Sequence, residues 1–274
     1  MDGWYKSGEA LLSQMRETKL PDHMLAIWYL GQAGIAVKAG DLLFGIDLYL
    51  RDTDRRLLPQ PFTPESAGEI FDYVLCTHDH EDHLDAVTVE GMARSSNRAK
   101  FIVPAPHVHV LRELGISSER ILPAHAWHPL EAGGIKLLPT PAAHEEFEFD
   151  ENGDYTCLGF ILDFPAGRLY HAGDTIEWES MVEDLKPQNI DIMCLPINGS
   201  DWKRKHQNII GNLNSREAAD IADDCGADLV IPLHFDMFEG NGENPAHFAD
   251  YMFRDHKGHR FHIFAPGERY LYMK

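Results

Sequence analysis

His78, His80, Asp82 and His83 place four side chains able to bind a metal within six consecutive positions. Neutral imidazole nitrogens and carboxylate oxygens suit Zn²⁺, Mn²⁺ or Fe²⁺. The run follows an apolar stretch, 73–76, that reads as a short buried strand, so it forms a strand-end loop. In such a loop residues 78 and 80 project to one side, while Asp82 and His83 are offset toward a second point. Four donors so arranged can serve two ions. Two ions need more ligands, and three recur in the same context: His144 after strand 135–138, Asp174 after 168–170, and His234 after 229–233. Ligands at strand ends of an α/β sheet collect along one edge. His171, just ahead of Asp174, is read as a supporting residue beside these ligands. Other histidines carry no such pattern. His107 and His109 lack a following Asp-His and read as a helix face, and His125 and His128 flank a Trp in a turn. His256, His259 and His262 lie in a charged stretch and are expected to be solvated.

The elements that must position these residues alternate along the chain. Residues 4–18 carry Trp4, Leu11, Leu12 and Met15 at helical spacing, which predicts an accessory helix packed on the domain or on a neighbouring subunit. Strands are predicted at 25–30, 35–38 and 42–47, punctuated by Gly31 and by Gly40-Asp41. Residues 51–64 are polar and proline-containing and read as a surface loop. Asp85 is a suitable N-cap for a helix to about residue 94, and Asn214 with Glu217 resembles a capping box for a helix reaching Cys225. Strands follow at 101–103, 121–122, 135–138, 158–164, 168–170, 190–195, 229–233 and 261–264, and a last helix starts at Asn244-Pro245. No linker or composition break divides 1–274, so a single domain is predicted.

The bulk numbers narrow the partners. The 274 residues, 44% of them apolar, can build a substantial core. Against 24 Lys and Arg stand 44 Asp and Glu, a formal charge of −20 whose field disfavours nucleic acid and anionic membrane. The four cysteines, Cys76, Cys157, Cys194 and Cys225, are widely spaced, which argues against a disulfide framework. The first residues lack the charge and apolar run of a signal peptide, so a cytoplasmic protein is expected.

The order HxHxDH, lone His, Gly-Asp and final His resembles the metallo-β-lactamase superfamily. That resemblance implies a four-layer α/β fold, an αβ/βα sandwich with the metals at one edge of its two sheets. It also implies that His78, His80 and His144 hold a first ion, that Asp82, His83 and His234 hold a second, and that Asp174 bridges them. The shared nucleophile would be a hydroxide between two ions, with Asp82 handling its proton and Asp174 essential to the pair. An Asp at the position of Asp47 supports the metal loop in this superfamily. Four segments narrow the resemblance: Trp28-Tyr29-Leu30-Gly31-Gln32-Ala33-Gly34, Thr77-His78-Asp79-His80, Leu169-Tyr170-His171-Ala172-Gly173-Asp174 and Pro232-Leu233-His234-Phe235-Asp236. With the N-terminal helix, they are similar to the branch containing the L-ascorbate-6-phosphate lactonases. That branch implies a phosphorylated sugar-acid lactone as substrate, Mn²⁺ as a native metal, and a homo-oligomer with the N-terminal helix as candidate interface. The loop after Asp47 and the C-terminal region are shorter here than in that enzyme.

Two basic groups stand out in the acidic chain: Arg51, Arg55 and Arg56, and Lys203-Arg204-Lys205-His206. If their loops rise at the metal-bearing edge, Arg51, Arg55, Lys203 and Arg204 are candidates to grip an anionic small-molecule substrate. Rival chemistries leave different traces. An oxygen-reducing diiron branch would carry Glu in place of His80, and secreted antibiotic-hydrolysing enzymes usually carry a Cys ligand. A phospholipase-D-like phosphodiesterase is the enzymatic alternative, since the same hydroxide attacks phosphorus. A metal-binding sensor or scaffold is the non-enzymatic one.

Overall fold

The computed structural model describes residues 3–207 and 209–274. Its first sheet is built mainly from the N-terminal half: β1 (Met24–Gly31), β2 (Gly34–Ala39), β3 (Leu42–Ile46), β4 (Tyr73–Leu75), β5 (Lys100–Pro104) and β6 (Ile121–Ala124). The second holds β7 (Leu130–Ala132), β8 (Ile135–Pro141), β9 (Leu158–Phe164), β10 (Gly167–His171), β11 (Ile192–Pro196), β12 (Leu229–Leu233) and β13 (Arg260–Phe261). The last strand, β14 (Arg269–Met273), returns to the first sheet and pairs antiparallel with β1, giving two seven-stranded sheets. In each sheet an antiparallel part gives way to a parallel part, from β3 to β6 and from β10 to β13.

Residue alternation explains why the strands read as continuous apolar runs. In β1, Leu25, Ile27 and Tyr29 face the core between the sheets, and Ala26, Trp28 and Leu30 face the outer layer of helices. Both faces are buried, so both carry apolar side chains. On the first sheet's outer face lie α1 (Gly8–Glu17), α2 (Pro64–Gly68), α3 (Ala86–Ser95) and α4 (Val108–Glu113). The second sheet is covered by α5 (Met181–Leu185), α7 (Ser215–Cys225) and α8 (Pro245–Asp255), while α6 (Trp202–His206) is a short surface turn of helix. The expected αβ/βα layering is present. No helix among the described residues is long and apolar enough to cross a membrane.

Three local expectations are corrected. The N-terminal helix is shorter than 4–18. Its apolar face is spent within the chain: Leu11, Leu12 and Met15 pack under β1, and the Trp28 indole donates to Gln14 Oε1 at 3.1 Å. Lys38 Nζ, from β2, donates to the Met15 and Arg16 carbonyls at 2.7 and 2.9 Å and so caps the helix end. Next, the 51–64 segment is no free surface loop. Arg56 is buried, donating to Tyr49 O at 2.6 Å and Leu58 O at 2.8 Å, and Phe62 joins the outer core. Finally, His256 and His259 are not solvated. They pair with Asp220 and Asp223 on α7 at 2.7 and 3.1 Å and tie the chain after α8 to that helix.

Candidate metal centre

The ends of four strands meet at one edge of the sandwich. After β4 the chain turns through 77–84, with the His83 and Leu84 N–H groups both donating to the His80 carbonyl. Asp85 stops the turn by capping α3, accepting from the Val87 and Thr88 N–H groups. Asp47, buried just past β3, sits beneath this loop. Its carboxylate accepts from Thr77 N and Thr77 Oγ1, both at 2.8 Å, and lies 2.8 Å from His83 Nδ1. An N–H on Nδ1 donated to Asp47 leaves the His83 Nε2 lone pair aimed into the site. Gly173 lets the β10 end press against the loop: its φ is +64°, and a Cβ there would lie 2.7 Å from Thr77 Cβ.

The seven expected ligands come together. His78 Nε2 and His144 Nε2 lie 3.0 and 3.2 Å from His80 Nδ1. Asp82 Oδ2 lies 3.6 Å from His83 Nε2 and 3.5 Å from His234 Nε2. Asp174 stands between the two groups, with Oδ1 3.4 Å from His83 Nε2 and Oδ2 3.2 and 3.8 Å from the Nε2 atoms of His234 and His144. Three groupings have the spacing to hold an ion: His78, His80 and His144; His78, His83 and Asp174; and Asp82, His83 and His234.

Electrostatics tests whether these groups suit cations. Burial pushes the His78 and His144 imidazoles down, His144 to about 4, so both stay neutral with lone pairs available. Burial also acts to lower His83 and His234, but nearby carboxylates outweigh it. Asp174, Asp47 and Asp82 raise His83 well above the ordinary imidazole value, and Asp174 with Asp82 lifts His234 to about 9. Asp82 and Asp174 shift the opposite way. Burial raises them, yet His83 and His234 hold both below the usual carboxylate range. His83 Nε2 and Asp174 Oδ1 are buried with no hydrogen-bond partner among the described residues. Ring nitrogens packed face to face beside unpaired carboxylate oxygens are costly unless a cation joins them. The donor set therefore fits divalent ions.

Backbone strain concentrates at the same place. Gln32, Asp47 and His234 hold φ at 58°, 50° and 62°, in the left-handed region that non-glycine residues seldom adopt. His171 points away from the ligands, with Nε2 2.8 Å from the Ala33 carbonyl and Nδ1 accepting from Gly173 N. It orients the turn into Asp174.

A cavity of about 330 Å³ opens above the ligands, with Arg55, Ile209, Ile210, Phe238, Glu239 and Asn241 on its walls. Of the four candidate substrate cations, Arg55 alone lines it. Its guanidinium lies 2.9 Å from Glu81 Oε2 and 5.6 Å from the Phe238 ring centre. Arg51 turns away, paired with Glu81 and with buried Asp85 at 2.8 Å. Lys203 and Arg204 lie on α6 rather than on a loop, beside an adjoining depression past Phe238 and Glu239. Arg204 is committed to Asp201 and to the Gly242 carbonyl. Two site residues were not singled out from the sequence. Gln32 touches Asp82 and His234, and Glu81 holds both Arg51 and Arg55. A polar residue between glycines at the end of an apolar strand was the available signal for Gln32.

Residues 41–235 match the Beta-lactamase superfamily domain. A metal-dependent hydrolase of Methanospirillum hungatei, of the UPF0173 type, is 30% identical over 199 residues, covering 70% of this chain and 81% of the relative. Another from Methanoculleus marisnigri is 28% identical over 221 residues, covering 78% and 88%. Among solved structures, a metallo hydrolase from the archaeon Ignicoccus hospitalis superposes with a TM-score of 0.73 at 21% identity, covering 92% of this chain and 99% of that one. An isothiocyanate hydrolase from Delia radicum gut bacteria has a TM-score of 0.72 at 14% identity, covering 91% and 100%. At these identities the structural likeness speaks for the fold.

Proposed function

The chain belongs to the beta-lactamase superfamily as a metal-dependent hydrolase of the UPF0173 type, and from that premise we propose that it is a dinuclear enzyme opening a small carboxylic ester, a sugar-acid lactone bearing an anionic group. The observation that carries this reading is the convergence of seven His and Asp side chains at one sheet edge, with His80, Asp82, His144, Asp174 and His234 lining one open cavity. His78, His80 and His144 would hold one ion, Asp82, His83 and His234 the other, and Asp174 reaches both groups. Mn²⁺ or Zn²⁺ bound there supplies Lewis acidity toward the substrate carbonyl and acidifies a water for attack.

The chain's own residues do the rest. Asp47 holds His83 in the tautomer that presents Nε2. Asp82 lines the cavity, where its carboxylate can take the proton released at the nucleophile. Ile209, Ile210 and Phe238 give the cavity an apolar wall that limits water beside the reacting bond. Arg55, braced by Glu81, meets a phosphate or carboxylate at the rim. Exposed as it is, the arginine selects among substrates and leaves the chemistry to the floor.

The test is a hydrolysis panel on protein loaded with Mn²⁺ or Zn²⁺, pairing sugar-lactone phosphates and their dephosphorylated forms with bis-p-nitrophenyl phosphate. Lactone opening that depends on the phosphate supports the proposal. Phosphodiester cleavage without lactone opening transfers the site to the phosphodiesterase reading. Full metal loading with no turnover of any ester points to a sensor or scaffold.

A further inference from the structure

Gln32 lies in the turn between β1 and β2, outside the seven expected ligands, yet it touches two of them. Its Nε2 donates to Asp82 Oδ2 at 2.8 Å and lies 2.9 Å from His234 Nε2. Asp82 Oδ2 is also the oxygen that faces the ring nitrogens of His83 and His234. The Gln32 side chain is buried, and its Oε1 has no hydrogen-bond partner among the described residues. Buried amide oxygens are rarely left so unless an ion or water completes them.

The backbone is committed to this placement. Gln32 N donates to Asp236 Oδ1 at 3.0 Å, and its carbonyl accepts from His234 N at 2.8 Å, with the Tyr29 hydroxyl 3.2 Å away. Tyr29 in turn donates to the same Asp236 oxygen at 2.7 Å. These bonds hold a residue with φ of 58° in place against its intrinsic preference. Three segments meet there: the first turn of the first sheet, the loop after β4, and the end of β12 in the second sheet. No contact of this kind runs from Gln32 to His78, His80 or His144 among the described residues.

We infer that Gln32 is the positioning residue of the second metal triad, fixing the Asp82 carboxylate in ligating geometry and setting the affinity of that site alone. The inference rests on the dinuclear reading of the centre. A ligating carboxylate is oriented by the donor behind it, and losing such a donor weakens metal binding about 10- to 100-fold. A neutral amide suits the task because it turns Asp82 without cancelling its charge.

Two variants separate this role from plain structural support. Gln32→Asn tolerates the left-handed backbone and keeps the main-chain bonds, but its amide falls short of Asp82. Gln32→Leu keeps much of the volume and removes the donor. Zn²⁺ would be titrated into each metal-free protein against a chromophoric chelator, with stoichiometry by elemental analysis and folding by thermal melting. The expected result is wild-type protein with two Zn²⁺ per chain. In both variants the second equivalent weakens by about 10- to 100-fold, the first is unchanged, and the metal-free melting temperature of Gln32→Asn is preserved. Two equivalents of unchanged affinity in the variants overturn the inference, and so does equal weakening of both. Fewer than two Zn²⁺ on the wild-type chain instead removes the dinuclear reading, and the assignment of Gln32 with it.

Discussion

The two candidate metal triads each take two residues from the same six-residue loop yet differ in the groups around them. His78, His80 and His144 form an all-imidazole group in which burial keeps His78 and His144 neutral, His144 with a pKa near 4. The other group mixes Asp82 with His83 and His234 and has Asp174 and Asp47 beside it, so carboxylates raise both imidazoles despite burial, His234 to about 9. The lesson concerns charge more than position. An imidazole cluster without carboxylates is ready for an ion, whereas one crowded by carboxylates must exchange protons for it. The first site is set by desolvation and the second by competition between a proton and a metal.

The largest expected effect comes from the residue shared by both groups. Asp174→Ala should cut kcat/KM by about 1,000-fold or more, equivalent to roughly 4 kcal/mol of transition-state stabilisation, and lower total metal content. Two retained ions with full hydrolysis would refute the bridging role. His144→Ala and His234→Ala separate the groups: each should leave one tight ion of two, and competition titrations should show different ions lost. Loss of the same ion from both variants would merge the triads into one site.

A pH series sharpens the contrast further. The His234 pKa, raised to about 9, means an ion at the mixed triad displaces a proton below that pH. Affinity there should therefore climb with pH, by about tenfold per unit for one displaced proton, and level off above about 9. Binding at the all-imidazole triad should depend on pH less steeply between about pH 7 and 9, because burial keeps His78 and His144 free of protons there. Parallel pH dependences for the two ions would contradict the comparison. The smallest effect is at the rim, where Arg55→Ala should raise KM about tenfold for phosphorylated lactones, about 1.4 kcal/mol, and leave neutral lactones unchanged. Lys203→Ala, beyond the cavity wall, should change KM less than twofold; an effect as large as that of Arg55→Ala would bring α6 into the site.

Much of the fold was legible because its signals are local. A strand buried on both faces must be apolar throughout, which made β1, β9, β11 and β12 readable as runs. The Asn214–Glu217 capping box announced α7 and is present in the structure, with the Asn214 side chain accepting from the Glu217 N–H and Glu217 Oε2 accepting from Asn214 N. Less legible was the 51–64 segment, whose prolines and charges suggested solvent. Arg56 is buried there because carbonyls of its own chain surround the guanidinium, and composition carries no record of that geometry. His256 and His259 were misjudged for the same reason: their aspartate partners lie on α7, more than thirty residues away.

By itself the sequence singled out seven candidate ligands and their places after apolar strands. The spacing within residues 78–83 and the placing of His144, Asp174 and His234 after apolar strands depend on short-range backbone geometry. Tertiary structure decided the rest. It chose which cations face the cavity, admitting Arg55 and turning Arg51 toward Asp85. It used up the apolar face of α1 inside the chain, and it brought Gln32 to Asp82 across fifty residues. The physical reason is that a donor's chemistry is written in its residue type, while its partner, its solvation and its proton are set by whatever the fold places within about 3 Å of it.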